Sequence, residues 1–162
     1  IGKFNQLLGG GAESAAVLSA INPTFIRIRS TVPISGTPLH DMMTEGRWSP
    51  LGEEERVREL RAFLAGLDGV TSTVQSDHIM NLLEDVAGQL PGDRERMLDT
   101  IDRFLGMPPA DKESFIVGRR IGRYRSLADY VPSADVESVR LELIRRFGTL
   151  ERGLLEIMTS FV

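Results

Sequence analysis

Residues 24–31, with the sequence Thr-Phe-Ile-Arg-Ile-Arg-Ser-Thr, decide the fold class of this 162-residue chain. The run has the length of a strand, is rich in β-branched and aromatic residues, and lies between Pro23 and Pro33. Before it, residues 12–21 carry apolar side chains at helical spacing, and that helix is expected to end at Asn22 because the next residue is Pro. A helix followed by a strand predicts half of a βαβ unit.

The rest of the chain predicts one more strand among several helices. Residues 32–50 contain five Pro or Gly breakers and predict a loop with a helical turn at residues 39–44. An apolar stripe predicts a helix that begins at Ser49-Pro50, and residues 70–75 predict the second strand. The later helices are predicted to begin near Ser76, Asp93, Ala110 and Ser133.

The predicted fold class is α/β. Two strands are too few for a stable sheet, so we expect neighbouring strands before Ile1, and a start at Ile rather than Met favours a fragment. Residues 1–75 are predicted to be the last strands and helices of a partial (β/α) barrel, and residues 76–162 a mainly helical C-terminal region. A first strand at residues 3–6 is left open because that segment is more polar than a buried barrel strand.

Composition excludes several classes of site. The chain has 41% hydrophobic and 26% charged residues and a net charge of -4, which is typical of a globular protein and gives no reason to expect a surface that is basic overall. No Cys and only two His are present, so neither a thiolate-held metal nor a multi-histidine site is expected. Without a membrane-length apolar run or a signal peptide, a cytoplasmic location is expected.

Three ordered stretches carry a resemblance to a known family. The first joins Gly9-Gly10-Gly11 and its helix to residues 21–30 and 35–39, with the sequences INPTFIRIRS and SGTPL. The second is residues 51–61, and the third joins SDHIMNLL at residues 76–83 to GQLPGD at residues 88–93. Together they resemble the C-terminal part of radical SAM iron–sulfur oxidoreductases, from Gly9 to about Leu105.

The resemblance implies a partial (β/α) barrel and a cofactor that this chain does not hold. In that family a Cys-x-x-x-Cys-x-x-Cys loop binds a [4Fe-4S] cluster, which cleaves S-adenosylmethionine to a radical. This chain lacks the loop, so the cluster and S-adenosylmethionine would belong to the full-length parent, with the N-terminal remainder of that parent as the partner. The chain would then shape the substrate side of the parent enzyme without activity of its own, and with no catalytic residue or metal ligand.

Six residues are the candidates for contact with a ligand. Arg27 and Arg29 share one face of the predicted strand, where their guanidiniums could bind a carboxylate or phosphate of a substrate, or form a structural ion pair. His78 lies at a strand-to-helix junction, where it could contact substrate or satisfy local backbone groups. The glycines ahead of the first helix could bring backbone N–H groups to a cofactor, although a plain turn explains them as well. These glycines are Gly9, Gly10 and Gly11.

A non-enzymatic helical interaction module is the alternative function. The cluster Arg119, Arg120, Arg123 and Arg125 around Tyr124, or the long C-terminal helix, would bind a protein or RNA partner, although the acidic net charge makes nucleic acid the less expected one. The strand at residues 24–31 separates the two hypotheses. A barrel fragment needs it paired and parallel, whereas an all-helical module would leave it as an extended linker. A barrel missing strands would also expose edges, which predicts self-association.

Overall fold

The computed structural model describes residues 9–159 as a mixed α/β protein that is mostly helical. This confirms the predicted class. Its helices are α1 (Gly9–Ile21), α2 (Pro38–Thr44), α3 (Glu53–Gly66), α4 (Arg94–Leu105), α5 (Pro109–Arg120), α6 (Ala134–Phe147) and α7 (Leu150–Thr159), with one 3-10 turn at Leu127–Asp129. Its strands are β1 (Phe25–Arg27), β2 (Thr73–Gln75) and β3 (Gly88–Gln89).

The three strands form one small sheet in the order β1-β2-β3. β1 is parallel to β2, with Ile26 opposite Val74, and β2 is antiparallel to β3, with Val74 opposite Gly88. The N–H of Ile28 extends the pairing of β1 by donating to the carbonyl of Gln75 at 2.8 Å. The predicted strand at residues 24–31 is therefore confirmed as a paired, parallel strand, shorter than the sequence suggested.

The two faces of this sheet differ in burial. Ile26 and Val74 are buried within the hydrophobic core, at 6% and 1% exposure. Phe25, Arg27 and Gln75 alternate with them and are exposed, as the two-residue period of a strand requires. One face of the sheet is thus part of the core and the other is open among the residues described.

α1 and α3 cross at close range because small residues line their contact. A Cβ on Gly11 would lie 2.7 Å from the backbone oxygen of Glu59, so only glycine fits there. One turn later Ala15 is fully buried, and a Cβ on Gly66 would lie 3.1 Å from that of Ala15. The glycines expected to form a turn instead form the first turn of α1, with Gly10 and Gly11 against α3.

The C-terminal helices pack around an aromatic cluster. Phe115 of α5 stacks on Tyr124 at 6.1 Å between ring centroids and meets Tyr130 edge-on at the same distance. Gly118 lets this cluster close, since a Cβ there would lie 2.2 Å from the ring of Tyr124. The hydroxyl of Tyr124 donates to the carbonyl of Val131 at 2.5 Å, which fixes the chain between α5 and α6.

Two predicted helices differ in the structure. Residues 76–87 form turns rather than the predicted helix, because the Ser76 hydroxyl donates to the carbonyl of Leu83 and the Asn81 amide donates to that of Ile28. Such side-chain bonds compete with helical ones. The single predicted C-terminal helix is two helices, α6 and α7, because Gly148 adopts a φ of 82° and ends the first one.

Contacts cross the predicted domain boundary between residues 75 and 76. β3 pairs with β2, and the side-chain oxygen of Asn81 accepts from the N–H of Ser30 at 3.0 Å. The division into residues 1–75 and 76–162 stays a prediction. The candidate strand at residues 3–6 lies outside the described residues. Within residues 9–159 no helix is long and apolar enough to cross a membrane.

Candidate ligand cavity at the end of the parallel strands

A cavity of about 400 Å³ lies where β1 ends, between α1 and α3. Carboxyl ends of parallel strands are the usual place for ligand sites in α/β folds. Apolar side chains of α3, including Val57, Leu60 and Phe63, form one wall, and Leu82 and Leu83 lie on another. Trp48, the single tryptophan, lines the cavity from the loop before α3.

The most polar wall of the cavity is a buried charge cluster. Arg120 of α5 donates twice to the carboxylate of Glu53, at 2.8 and 2.7 Å, and both side chains are more than nine-tenths buried. Arg56 reaches the same carboxylate at 3.3 Å, and its side chain is 22% exposed. Two guanidiniums therefore share one carboxylate, which leaves an excess of one positive charge.

Arg56 is the less satisfied of the two cations. Its Nη2 lies 3.6 Å from the sulfur of Met158, and its buried Nε has no hydrogen-bond partner among the described residues. Burial lowers the pKa of Arg56, only partly offset by the charge of Glu53. A buried, incompletely paired guanidinium is the kind of group that binds an anion.

Both candidate arginines line the cavity, Arg27 from β1 and Arg29 from just after it, but they differ in their hydrogen bonds. Arg27 donates from Nε and Nη2 to both oxygens of Asp77, at 3.0 and 2.9 Å, and this hydrogen bonding lowers the pKa of the Asp77 carboxyl. Arg27 thus has a structural ionic partner, the alternative left open by the sequence. Arg29 follows the strand, is exposed, and lines the cavity with no hydrogen bond to the rest of residues 9–159.

The candidate glycines reach the cavity from the start of α1. Gly10 and Gly11 line it, and a Cβ on Gly10 would lie 2.8 Å from a carboxylate oxygen of Glu59. Partial burial raises the pKa of Glu59. Gly9 begins the helix. Contact of the three glycines with a cofactor stays a prediction.

His78 lies in the turn after β2, not at the start of a helix. Its carbonyl accepts from the N–H of Asn81 at 2.8 Å, and its Nδ1 is buried without a hydrogen-bond partner in the described part of the chain. Sequence reasoning pointed to His78 and passed over Asn81, which joins β1 to this turn by bonding to Ile28 and Ser30. The substrate role of His78 stays a prediction.

The basic cluster of the alternative hypothesis is not a continuous surface. Arg120 is held by Glu53, and Arg119 is 5% exposed and paired with Glu84. The ring of Tyr124 is buried as well. Only Arg123 and Arg125 remain exposed, and Arg125 lies 3.4 Å from the same Glu84 carboxylate. These arginines are neighbours in the sequence. The carboxylates that pair with the two buried ones, Glu84 and Glu53, lie far from them in the chain.

The edge of the sheet beside the cavity carries exposed apolar side chains. Within residues 9–159, β1 has a hydrogen-bonded neighbour only on its β2 side. Phe25 is 60% exposed there, and Val17 and Ile21 on α1, one turn apart, are 58% and 63% exposed. A free parallel edge whose strand carries an exposed Phe25 is unusual for a protein surface that has no partner.

Comparison with known proteins yields a partial match. No family model matches the chain, and no solved structure matches it. A transcription-repair-coupling factor from Escherichia coli (strain K12) is 30% identical over 128 residues, which cover 73% of this chain and 10% of that protein. The chain therefore spans about a tenth of the length of the curated relative that it matches.

These findings correct the predicted membership of the radical SAM family. The match over most of the chain is to a transcription-repair-coupling factor, and no family model supports a radical SAM domain. The chain is therefore not assigned to the radical SAM family. The residues also do not fit an iron–sulfur cluster, since the chain has no Cys, and residues 9–159 contain no group of three or more potential metal ligands.

Proposed function

We propose that this chain is a non-enzymatic docking module of a longer polypeptide, which binds a neighbouring parallel strand at the free edge of β1. The observation that carries the proposal is the exposure of Phe25 at this edge, together with Val17 and Ile21 on the helix that leads into it. A strand added there would pair with the unbonded edge of β1 and cover the apolar side chains.

The connectivity of the sheet favours a parallel neighbour. β1, α3 and β2 form one strand–helix–strand unit, and α1 lies beside α3 immediately before β1. A strand ahead of α1 would repeat this unit, and right-handed crossovers place such a strand next to β1. Repetition would extend the parallel part of the sheet on the β1 side, away from the antiparallel strand β3.

A protein partner fits the charge of the molecule better than RNA. The net charge is -4, and two arginines of the basic cluster are buried in ion pairs. The relative that matches most of this chain is named a transcription-repair-coupling factor, and the chain matches only a tenth of it. A segment that docks within a larger protein agrees with both facts.

The test is a photo-crosslink from the edge in the complete gene product that contains this chain. Benzoylphenylalanine replaces Phe25, or replaces Val131 in a matched control, because Val131 is 65% exposed in the loop before α6. After irradiation, peptide mapping by mass spectrometry identifies what lies at each position. We expect position 25 to give a crosslink to an extended segment elsewhere in the same polypeptide, and position 131 to give none to that segment.

Three results would count against the docking module. A crosslink from position 25 to a different protein would place the partner in trans. No crosslink at all would leave the edge exposed in the complete protein. Equal crosslinking of one segment from both positions would show contact without specificity.

A further inference from the structure

We propose that the cavity between α1, α3 and the end of β1 binds a small monocarboxylate with an apolar body, held by Arg56 and guided by Arg29. This ligand site is formed by residues 9–159 and does not depend on a strand at the edge of β1. It therefore adds a binding activity to the proposed docking role.

The argument begins with the charge at the buried end of the cavity. Glu53 already accepts two short hydrogen bonds from Arg120, so its contact with Arg56 is the longer one, at 3.3 Å. The Nε of Arg56 is buried and donates to nothing in the described chain. An unmade hydrogen bond at a buried charged group is costly, and a carboxylate beside the partly exposed guanidinium would offset that cost by pairing with its charge.

The number of charges favours a monoanion over a phosphate. Arg56 and Arg120 against Glu53 leave one uncompensated positive charge. The other charged residues of the lining add no net charge, since Arg27 is paired with Asp77, and Arg29 and Glu59 carry one charge of each sign. A single negative charge neutralises the site, whereas a phosphate dianion would face Glu59 with its second charge.

The shape and lining favour an apolar body on that carboxylate. A volume of about 400 Å³ falls in the range of small-molecule sites, and the apolar part of the lining includes Val57, Leu60, Phe63 and Leu82. A second cavity of about 630 Å³ also borders Arg56 and includes Met158, which the Nη2 of Arg56 contacts, but its lining is mainly acidic, with Glu54 and Glu151 among several glutamates. The carboxylate ligand is therefore assigned to the first cavity.

Trp48 provides a direct measurement, because it is the single tryptophan and it lines this cavity. The purified chain is titrated with 3-phenylpropionate and hexanoate, with 3-phenylpropanamide as the uncharged match and inorganic phosphate as the other anion. We expect saturable fluorescence changes with the carboxylates and at least tenfold weaker binding of the amide and of phosphate. Binding of the amide as tight as the acid, tighter binding of phosphate, or no saturation with either carboxylate would overturn the proposal.

Variants assign the binding to the named arginines. Arg56→Lys keeps the charge but loses the Nε donor and is expected to weaken carboxylate binding about tenfold, and Arg29→Met about threefold. Arg58→Met is the matched control, because Arg58 lies in the same helix, is half-exposed and bonds only to Glu54. Equal weakening by Arg58→Met, or unchanged binding in Arg56→Lys, would contradict the assignment.

A folding defect is distinguished from a binding defect in two ways. Arg29→Met changes an exposed side chain, so its circular dichroism spectrum is expected to match that of the parent chain. In the unaltered chain, the Nε–H resonance of Arg56 in ¹⁵N NMR is expected to shift downfield when 3-phenylpropionate is added. An Arg56 resonance that stays unmoved at saturating carboxylate would exclude the proposed contact.

Discussion

At the scale of single residues, Glu53 connects three helices. It begins α3, accepts two hydrogen bonds from Arg120 of α5, and contacts Arg56, which in turn meets Met158 of α7. Removing one member of a buried ion pair leaves an unpaired charge, whereas removing both can be nearly neutral. The cluster therefore predicts that a single substitution lowers the free energy of unfolding much more than a double substitution that removes both partners.

Arg120→Met is expected to lower the free energy of unfolding by about 3 kcal/mol, since Glu53 then keeps only the longer contact with Arg56. Glu53→Met combined with Arg120→Met is expected to recover part of that loss. Urea unfolding followed by circular dichroism measures both. Arg145→Met serves as the control, because Arg145 is 75% exposed and pairs only with Glu142. A loss as large in the control would contradict a specific role for the buried pair.

Tyr130 is expected to make the stability of the fold depend on pH in the alkaline range. Burial and a hydrogen bond from its hydroxyl to Asp111, at 2.9 Å, raise the pKa of Tyr130 to about 12 from the ordinary value of 10.0. A raised pKa stabilises the folded state fully below the unfolded value, and this stability is lost as pH rises through the folded one. The fold is thus expected to weaken between about pH 10 and 12.

The measurement is tyrosinate absorbance at 295 nm across that range, compared with the Tyr130→Phe variant. The absorbance step near pH 12 is expected to be missing from the Tyr130→Phe variant. In the Asp111→Asn variant, which keeps Tyr130, the step is expected to move to lower pH. If the step that Tyr130→Phe removes lies near pH 10 instead of near pH 12, the burial and hydrogen bond do not act on this hydroxyl.

At the scale of elements, the contact between α1 and α3 depends on a small residue. Gly11→Ala would place a Cβ 2.7 Å from the backbone oxygen of Glu59, and a backbone atom cannot move aside as a side chain can. We expect a loss of about 1–3 kcal/mol in unfolding free energy, as in other overpacked cores. Gly92→Ala is the control, because its nearest atom would lie at 3.8 Å. Thermal unfolding that is equal for both variants would contradict the close crossing.

The elements show which parts of the fold the sequence could predict. α3 and α4 were found because their apolar stripes, with Val57 and Leu64 in one and Met97 and Ile101 in the other, give a strong local pattern. Residues 76–87 have a similar apolar spacing, yet Asn81 bonds to Ile28, which is 53 residues away. A bond to a residue that far away cannot be predicted from the local pattern of apolar residues.

The candidate site shows the same limit. Arg27 was expected on the face opposite Ile26, and the alternation of the strand is enough to place it there. Arg56 was missed because it follows three glutamates and resembles a solvated first turn. Its burial depends on Met158, 102 residues later in the chain, so only the tertiary structure identifies it.

At the scale of the whole molecule, the free edge of β1 predicts how the isolated chain behaves in solution. Without the rest of a longer polypeptide to cover it, the edge and Phe25 are expected to pair with a second copy. Size-exclusion chromatography with light scattering, over a hundredfold range of concentration, is expected to show a mass that rises above 17.9 kDa.

Phe25→Lys places a charge at the edge and is expected to shift this association at least tenfold toward the monomer, because the desolvated lysine opposes pairing. Leu141→Lys, at a position 54% exposed on α6, is expected to leave it unchanged. A monomer at every concentration would mean that β1 does not need a neighbour, and the docking role would then lose its physical basis.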